Sequence, residues 1–79
     1  MAAQRFQLNS DYIELYALIK LYGLAPSGGA AKSMIAAGEV LVDGVTETRK
    51  ACKIRDRQIV SVAGEEILVL GPASEATID

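Results

Sequence analysis

Apolar residues recur along this chain at two different periods, and the change between them falls near Gly38. Tyr12, Leu15, Tyr16, Ile19 and Tyr22 stand at i, i+3, i+4, i+7 and i+10, with Leu18 beside them. That spacing predicts a helix with one buried face. Asn9, Ser10 and Asp11 offer N-caps for it. Gly23 suits the residue just past its end. The tyrosines fall on the buried stripe, so they are read as core rather than as a platform for stacking. Leu24-Ala25-Pro26 is a short connector. Ser27 can cap a second helix whose inner face carries Ala31, Met34 and Ile35, and Gly38 ends it. So short a connector predicts a tight helix–turn–helix pair.

Beyond Gly38 the period becomes two. Glu39-Val40-Leu41-Val42 reads as a strand, and Asp43-Gly44 as a hairpin turn. Both central residues of a type I′ turn need φ > 0, which Asp-Gly tolerates. Val45–Thr48 is the expected return strand. Ile59–Val62 and Glu66–Leu70 are two further strands, joined by a turn at Ala63-Gly64-Glu65 and stopped by Gly71-Pro72. Phe6-Gln7-Leu8 alternates as a short edge strand would. Residues 1–5 and 71–79 are expected to be flexible termini around a single domain at 6–70. The predicted fold class is α+β: a helix-turn-helix-like pair packed on a small, mostly antiparallel sheet.

Seventy-nine residues, 51% of them apolar, make one modest core. The chain has a single cysteine and no histidine or tryptophan. It therefore has no internal disulfide framework, which fits a reducing cytoplasm. No apolar run approaches a membrane span, and MAAQRFQLNS has no apolar signal core. A soluble cytoplasmic protein is expected, with no membrane partner. Net charge is −2, which argues against a generic polyanion binder, but the charge is unevenly placed. Residues 49–57, RKACKIRDR, hold five basic side chains against one acid, a local charge of +4. The other seventy residues hold three basic and nine acidic groups, or −6. A concentrated basic run is the electrostatic footprint of a nucleic-acid face, or else a solvated charged loop.

Catalytic chemistry is hard to build from these residues. General acid–base work most often uses histidine, and Cys52 has none to activate it. Lys50 and Lys53 flank Cys52 and could favour a thiolate. A small buried apolar residue is the simpler reading. One cysteine without histidine makes a structural zinc site implausible. Gly23 and Gly28 stand at the glycine spacing of a phosphate-binding P-loop. The next residues are Gly29 and Ala30 rather than Lys and Ser or Thr, and a helix precedes them rather than a strand. ATP and GTP are therefore excluded, and no cofactor is expected.

Ser27-Gly28-Gly29-Ala30-Ala31-Lys32 has a different use. A helix N-terminus carries free N–H groups and a partial positive charge, and small residues let an anion come close. Ser27, Gly28, Gly29 and Lys32 suit a phosphate contact. An ordinary cap with a solvated lysine is the plainer alternative. Together with the hairpin and the basic run, this helix start would make a groove for a folded RNA backbone.

The ordered motifs resemble the small RNA-binding domain first seen in the bacterial small-subunit ribosomal protein S-four, and more closely its free-standing YbcJ-like branch. They stand here as Leu21-Tyr22-Gly23-Leu24, Ser27 to Lys32, Gly38-Glu39-Val40-Leu41-Val42-Asp43-Gly44 and Glu47-Thr48-Arg49-Lys50-Ala51-Cys52-Lys53. Tyr12-Ile13-Glu14-Leu15 also fits this branch. The resemblance runs from about Phe6 to Leu70. It implies an αL-type RNA-binding motif, with Ser27, Gly28, Gly29 and Lys32 lining one side and Arg49, Lys50, Lys53 and Arg55 the other. It also implies recognition of structured RNA by shape and backbone, with ribosomal or other structured non-coding RNA as the target class. Gly28 stands where many members carry arginine. Arg57-Gln58 replaces a Gly-Asp or Gly-Gln, and Ala51 replaces a frequent basic residue. The rival readings are a protein-interaction adaptor, whose acidic surface around Glu65-Glu66 and the tail meets a basic partner, or an accessory subunit in RNA metabolism without strong RNA affinity of its own, and an enzyme in which this chain is the subunit that supplies RNA binding to a catalytic partner.

Overall fold

The switch of period near Gly38 is a switch from helices to sheet. The computed structural model describes residues 3–71. Its elements are β1 (Ala3–Gln7), β2 (Ile13–Glu14), α1 (Leu15–Leu21), α2 (Gly28–Ala36), β3 (Val40–Val42), β4 (Val45–Thr46), β5 (Lys53–Ile54), β6 (Ile59–Val62) and β7 (Glu65–Leu70). Five strands form one sheet in the order β1-β7-β6-β3-β4, antiparallel except where β1 runs parallel to β7. β2 and β5 form a separate antiparallel ribbon. The fold is α+β, two helices on a mostly antiparallel sheet.

Alternation along the strands sets the core. Val40, Val42, Val60, Val62, Ile67 and Val69 are buried on one face of the sheet. Leu15, Leu18 and Ile19 of α1, with Ala31 and Ile35 of α2, are buried in the same cluster. Both helices end alike. Gly23 at φ 72° and Gly38 at φ 80° take the left-handed conformation. The next N–H groups, of Leu24 and Glu39, then reach back to the carbonyls of Ile19 and Met34. This double closure satisfies carbonyls that a helix end leaves open. Asp43 and Gly44 have φ 53° and 83°, as the type I′ reading requires, and Ala63-Gly64 repeats the geometry between β6 and β7.

The first helix differs from expectation. It begins at Leu15 rather than near Tyr12, and no side chain caps it. The Leu15 and Tyr16 N–H groups donate instead to the Cys52 and Lys50 carbonyls, at 2.9 and 3.3 Å. The basic turn therefore supplies the cap, and the chain before Leu15 stays extended to pair with β5. Ser10, an expected cap, donates its hydroxyl to the Tyr12 carbonyl at 3.1 Å. The N-terminal strand is also longer than expected: β1 starts at Ala3, inside the segment read as loose, because the edge of β7 offers a partner along its length. The return after Asp43-Gly44 is a strand only over Val45–Thr46, with one further bond from the Glu47 N–H to the Val40 carbonyl at 2.9 Å. Gly71, read as part of the tail, donates its N–H to Asp56 Oδ1 at 2.8 Å. The rest of the expected tail, 72–79, lies outside the described residues.

Candidate nucleic-acid interface

The eight residues singled out in the sequence occupy two segments, the first turn of α2 and the turn and strand from 49 to 55. Ser27 is the N-cap of α2, and its Oγ accepts from the Ala30 N–H at 3.1 Å. The Ala31 N–H bonds to the Ser27 carbonyl, which leaves those of Gly28 and Gly29 without an acceptor among the described residues. Packing does not demand either glycine. A Cβ at Gly28 would lie 3.8 Å from the Tyr16 ring, and one at Gly29 would meet only the Ser27 hydroxyl, at 3.9 Å.

Lys32 places its Nζ 4.5 Å from the centroid of the Tyr16 ring. Tyr16 is thus the joint between the two segments. Its ring lies against Gly28 and Lys32, while its N–H bonds to the Lys50 carbonyl at 3.3 Å. The carboxylate of Glu14, as hydrogen-bond acceptor and then as a nearby negative charge, raises the pKa of the Tyr16 hydroxyl.

The β2–β5 ribbon positions the rest. Ile13 pairs with Ile54 and Glu14 with Lys53. Ile54 is fully buried and Ile13 packs on the core, so alternation turns Tyr12, Lys53 and Arg55 outward on the other face. Lys53 Nζ lies 5.0 Å and Arg55 Cζ 5.6 Å from the centroid of the Tyr12 ring. Both distances are within the range of cation–π attraction.

Arg49 is held differently. Its Nε and Nη2 donate to the Glu47 carboxylate at 2.9 and 3.1 Å, and its backbone N–H donates to the same carboxylate at 2.9 Å. These bonds lower the Glu47 pKa to about 2. The Arg49 charge is therefore offset by a residue just outside the stretch counted as basic. Arg57 likewise faces Asp56 at 3.6 Å. Lys32, Lys50, Lys53 and Arg55 form no ion pair among the described residues. Cys52 is half-buried behind Arg49, and burial pushes its thiol pKa up, away from a reactive thiolate. A shallow hollow of about 480 Å³ opens between Arg49, Ala51, Cys52 and Lys53.

The tyrosines correct the reading of the helical stripe. Tyr22 does join the core edge, where its hydroxyl donates to the Arg5 carbonyl at 2.7 Å and its ring meets Phe6 edge-on. Tyr12 is 37% exposed and precedes the helix, and Tyr16 is half-buried at its start. Tyr16 packs against the core as expected and carries Lys32 on its outer side, whereas Tyr12 lies outside the core and carries Lys53 and Arg55. Tyr12-Ile13-Glu14 and Lys53-Ile54-Arg55 each alternate with period two around one isoleucine, and that was the signal for the ribbon.

Two helices closed on a basic turn, with the sheet behind them, define the class. The family model of the S4 domain matches residues 6–70, and the chain belongs to that family. The putative RNA-binding protein YbcJ of Escherichia coli (strain K12) is 51% identical over 59 residues, 75% of this chain and 84% of that protein. The solution structure of E. coli YbcJ, described as revealing an αL motif involved in RNA-binding, matches with a TM-score of 0.67 and 45% identity. That match covers 89% of this chain and 90% of that one. The 30S ribosomal protein S4e of Thermoplasma acidophilum matches with a TM-score of 0.61 and 25% identity, over 73% of this chain and 31% of its own.

Proposed function

We propose that this chain is a non-enzymatic RNA-binding module that takes structured RNA, ribosomal or another folded non-coding RNA, by its backbone. The observation that carries the reading is the set of four cations, Lys32, Lys50, Lys53 and Arg55, with no acidic partner among the described residues. Tyr16 joins their two segments. The N–H groups of Gly28 and Gly29, without an acceptor among the described residues, add a phosphate position at the start of α2. Arg49 then serves mainly to hold the turn through Glu47, and Ser27 to cap α2. The name of the E. coli relative and the description of its solution structure support RNA as the ligand.

Direct titration of matched RNA and DNA hairpins tests this. The RNA hairpin is expected to bind more tightly, because A-form geometry and the 2′-OH differ between the two. Lys50→Glu with Lys53→Glu is expected to abolish most of the binding. Unchanged RNA affinity in that variant would overturn the reading. The adaptor reading has its own observation: a hollow of about 500 Å³ lined by Glu39, Leu41, Ser61, Glu65 and Glu66 among its residues. Its acidic rim fits a basic protein segment. Failure of the unaltered protein to bind RNA at low salt would favour it.

A further inference from the structure

Tyr12 is an exposed ring whose two cations, Lys53 and Arg55, are also two of the four that form no ion pair among the described residues. It stands on the outward face of the β2–β5 ribbon, 37% exposed, with Lys53 at 5.0 Å and Arg55 at 5.6 Å from its centroid. Neither cation is tied to an acid among the described residues. A charge-assisted bond to phosphate is stronger than a cation–π contact at an exposed ring. Arriving phosphates therefore draw Lys53 and Arg55 off the ring and uncover it. An uncovered aromatic face flanked by phosphate-binding cations is the arrangement that accepts a stacked base. Bases inside an A-form helix are already stacked on both faces, so only an unpaired base can reach it.

We infer that Tyr12 stacks an unpaired nucleotide of the bound RNA, and that the preferred ligand is a helix interrupted by a bulge, loop or junction rather than a continuous duplex. This rests on the RNA-binding reading above. It makes Tyr12 a specificity residue, with Lys53 and Arg55 holding the phosphates that flank the extruded base.

The test uses two RNA hairpins of the same stem, one with a single-nucleotide bulge carrying 2-aminopurine and one fully paired. The unaltered protein, Tyr12→Phe and Tyr12→Leu are titrated with each. The unaltered protein is expected to favour the bulged hairpin by roughly tenfold, the worth of one stacked base. Quenching of 2-aminopurine fluorescence should accompany that binding. Tyr12→Phe keeps the ring and should keep both effects. Tyr12→Leu should bind the two hairpins equally and quench nothing, with its urea midpoint confirming that it folds. If Tyr12 only positions the cations, Tyr12→Leu weakens both hairpins by the same factor and the preference survives, which overturns the inference. Equal binding of the two hairpins by the unaltered protein overturns it as well, while leaving RNA binding standing. Binding of neither hairpin overturns both readings together.

Discussion

Arg57 holds a left-handed backbone conformation, φ 73°, in the turn that leads into β6. The Gln58 N–H closes that turn on the Arg55 carbonyl at 3.3 Å, and the Arg57 N–H itself donates to Val69. Glycine is favoured at such a position because a Cβ there costs about 1–2 kcal/mol. Glycine also loosens the unfolded chain, which returns about 0.4–1 kcal/mol. Arg57→Gly is therefore expected to raise stability by up to about 1 kcal/mol, read as a higher urea midpoint at constant m-value. A lower midpoint would mean that the Asp56 ion pair outweighs the strain. Glu47 makes a second residue-scale prediction. Its carboxyl titrates near 2 in the folded chain against an ordinary value of 4.5. A lowered pKa contributes stability that is present above about pH 4.5 and is lost as pH falls toward 2. NMR titration of the Glu47 carboxyl should follow that curve, with the Arg49 amide losing its protection relative to the intrinsic exchange rate at each pH as the carboxylate is protonated. Titration near 4.5 would show that the Arg49 clasp is absent in solution.

At the scale of elements, the helix pair was legible because its punctuation is local. Ser27, Gly23 and Gly38 each act within one turn of their own position, and the structure uses them as caps. Ser27→Ala should cost about 1 kcal/mol of stability by urea unfolding, and an unchanged midpoint would deny its Oγ a capping role. The β2–β5 ribbon was not legible in the same way. Each strand has two residues, too few for alternation to outweigh the helical stripe in which Tyr12 also fits. The cap of α1 is likewise a backbone bond across 37 residues of chain, from Leu15 to Cys52, and side-chain identity carries no trace of that. β1 was underestimated for a related reason: its partner edge, β7, lies at the far end of the chain. The inward Ile54 is fully buried and ties the ribbon to the core. Ile54→Ala is expected to cost about 2–5 kcal/mol. Because Lys53 and Arg55 flank it, RNA affinity should fall too, although no charge is removed. Full affinity in that variant, at temperatures where it stays folded, would show that the ribbon does not position the cations.

Across the whole molecule, the charge asymmetry read in the sequence persists in altered form. Two of the five basic residues in 49–57 have acidic partners, Arg49 with Glu47 and Arg57 with Asp56. Lys32 joins the remaining three through the Tyr16 joint. The basic run was legible from composition, but which of its members are available to a ligand depended on pairings that only the fold reveals. An acidic hollow at Glu39, Glu65 and Glu66 occupies another part of the surface, so the net charge of −2 conceals two separate patches. Four available cations predict a definite salt response. The most direct measurement is the affinity for a structured RNA hairpin across a salt series, with the unaltered protein beside Lys50→Glu/Lys53→Glu. Log K should fall against log salt with a slope of roughly −3 to −4, and the variant should roughly halve it. The same slope in both proteins, or no binding by the unaltered protein at low salt, would contradict the assignment of this face to RNA.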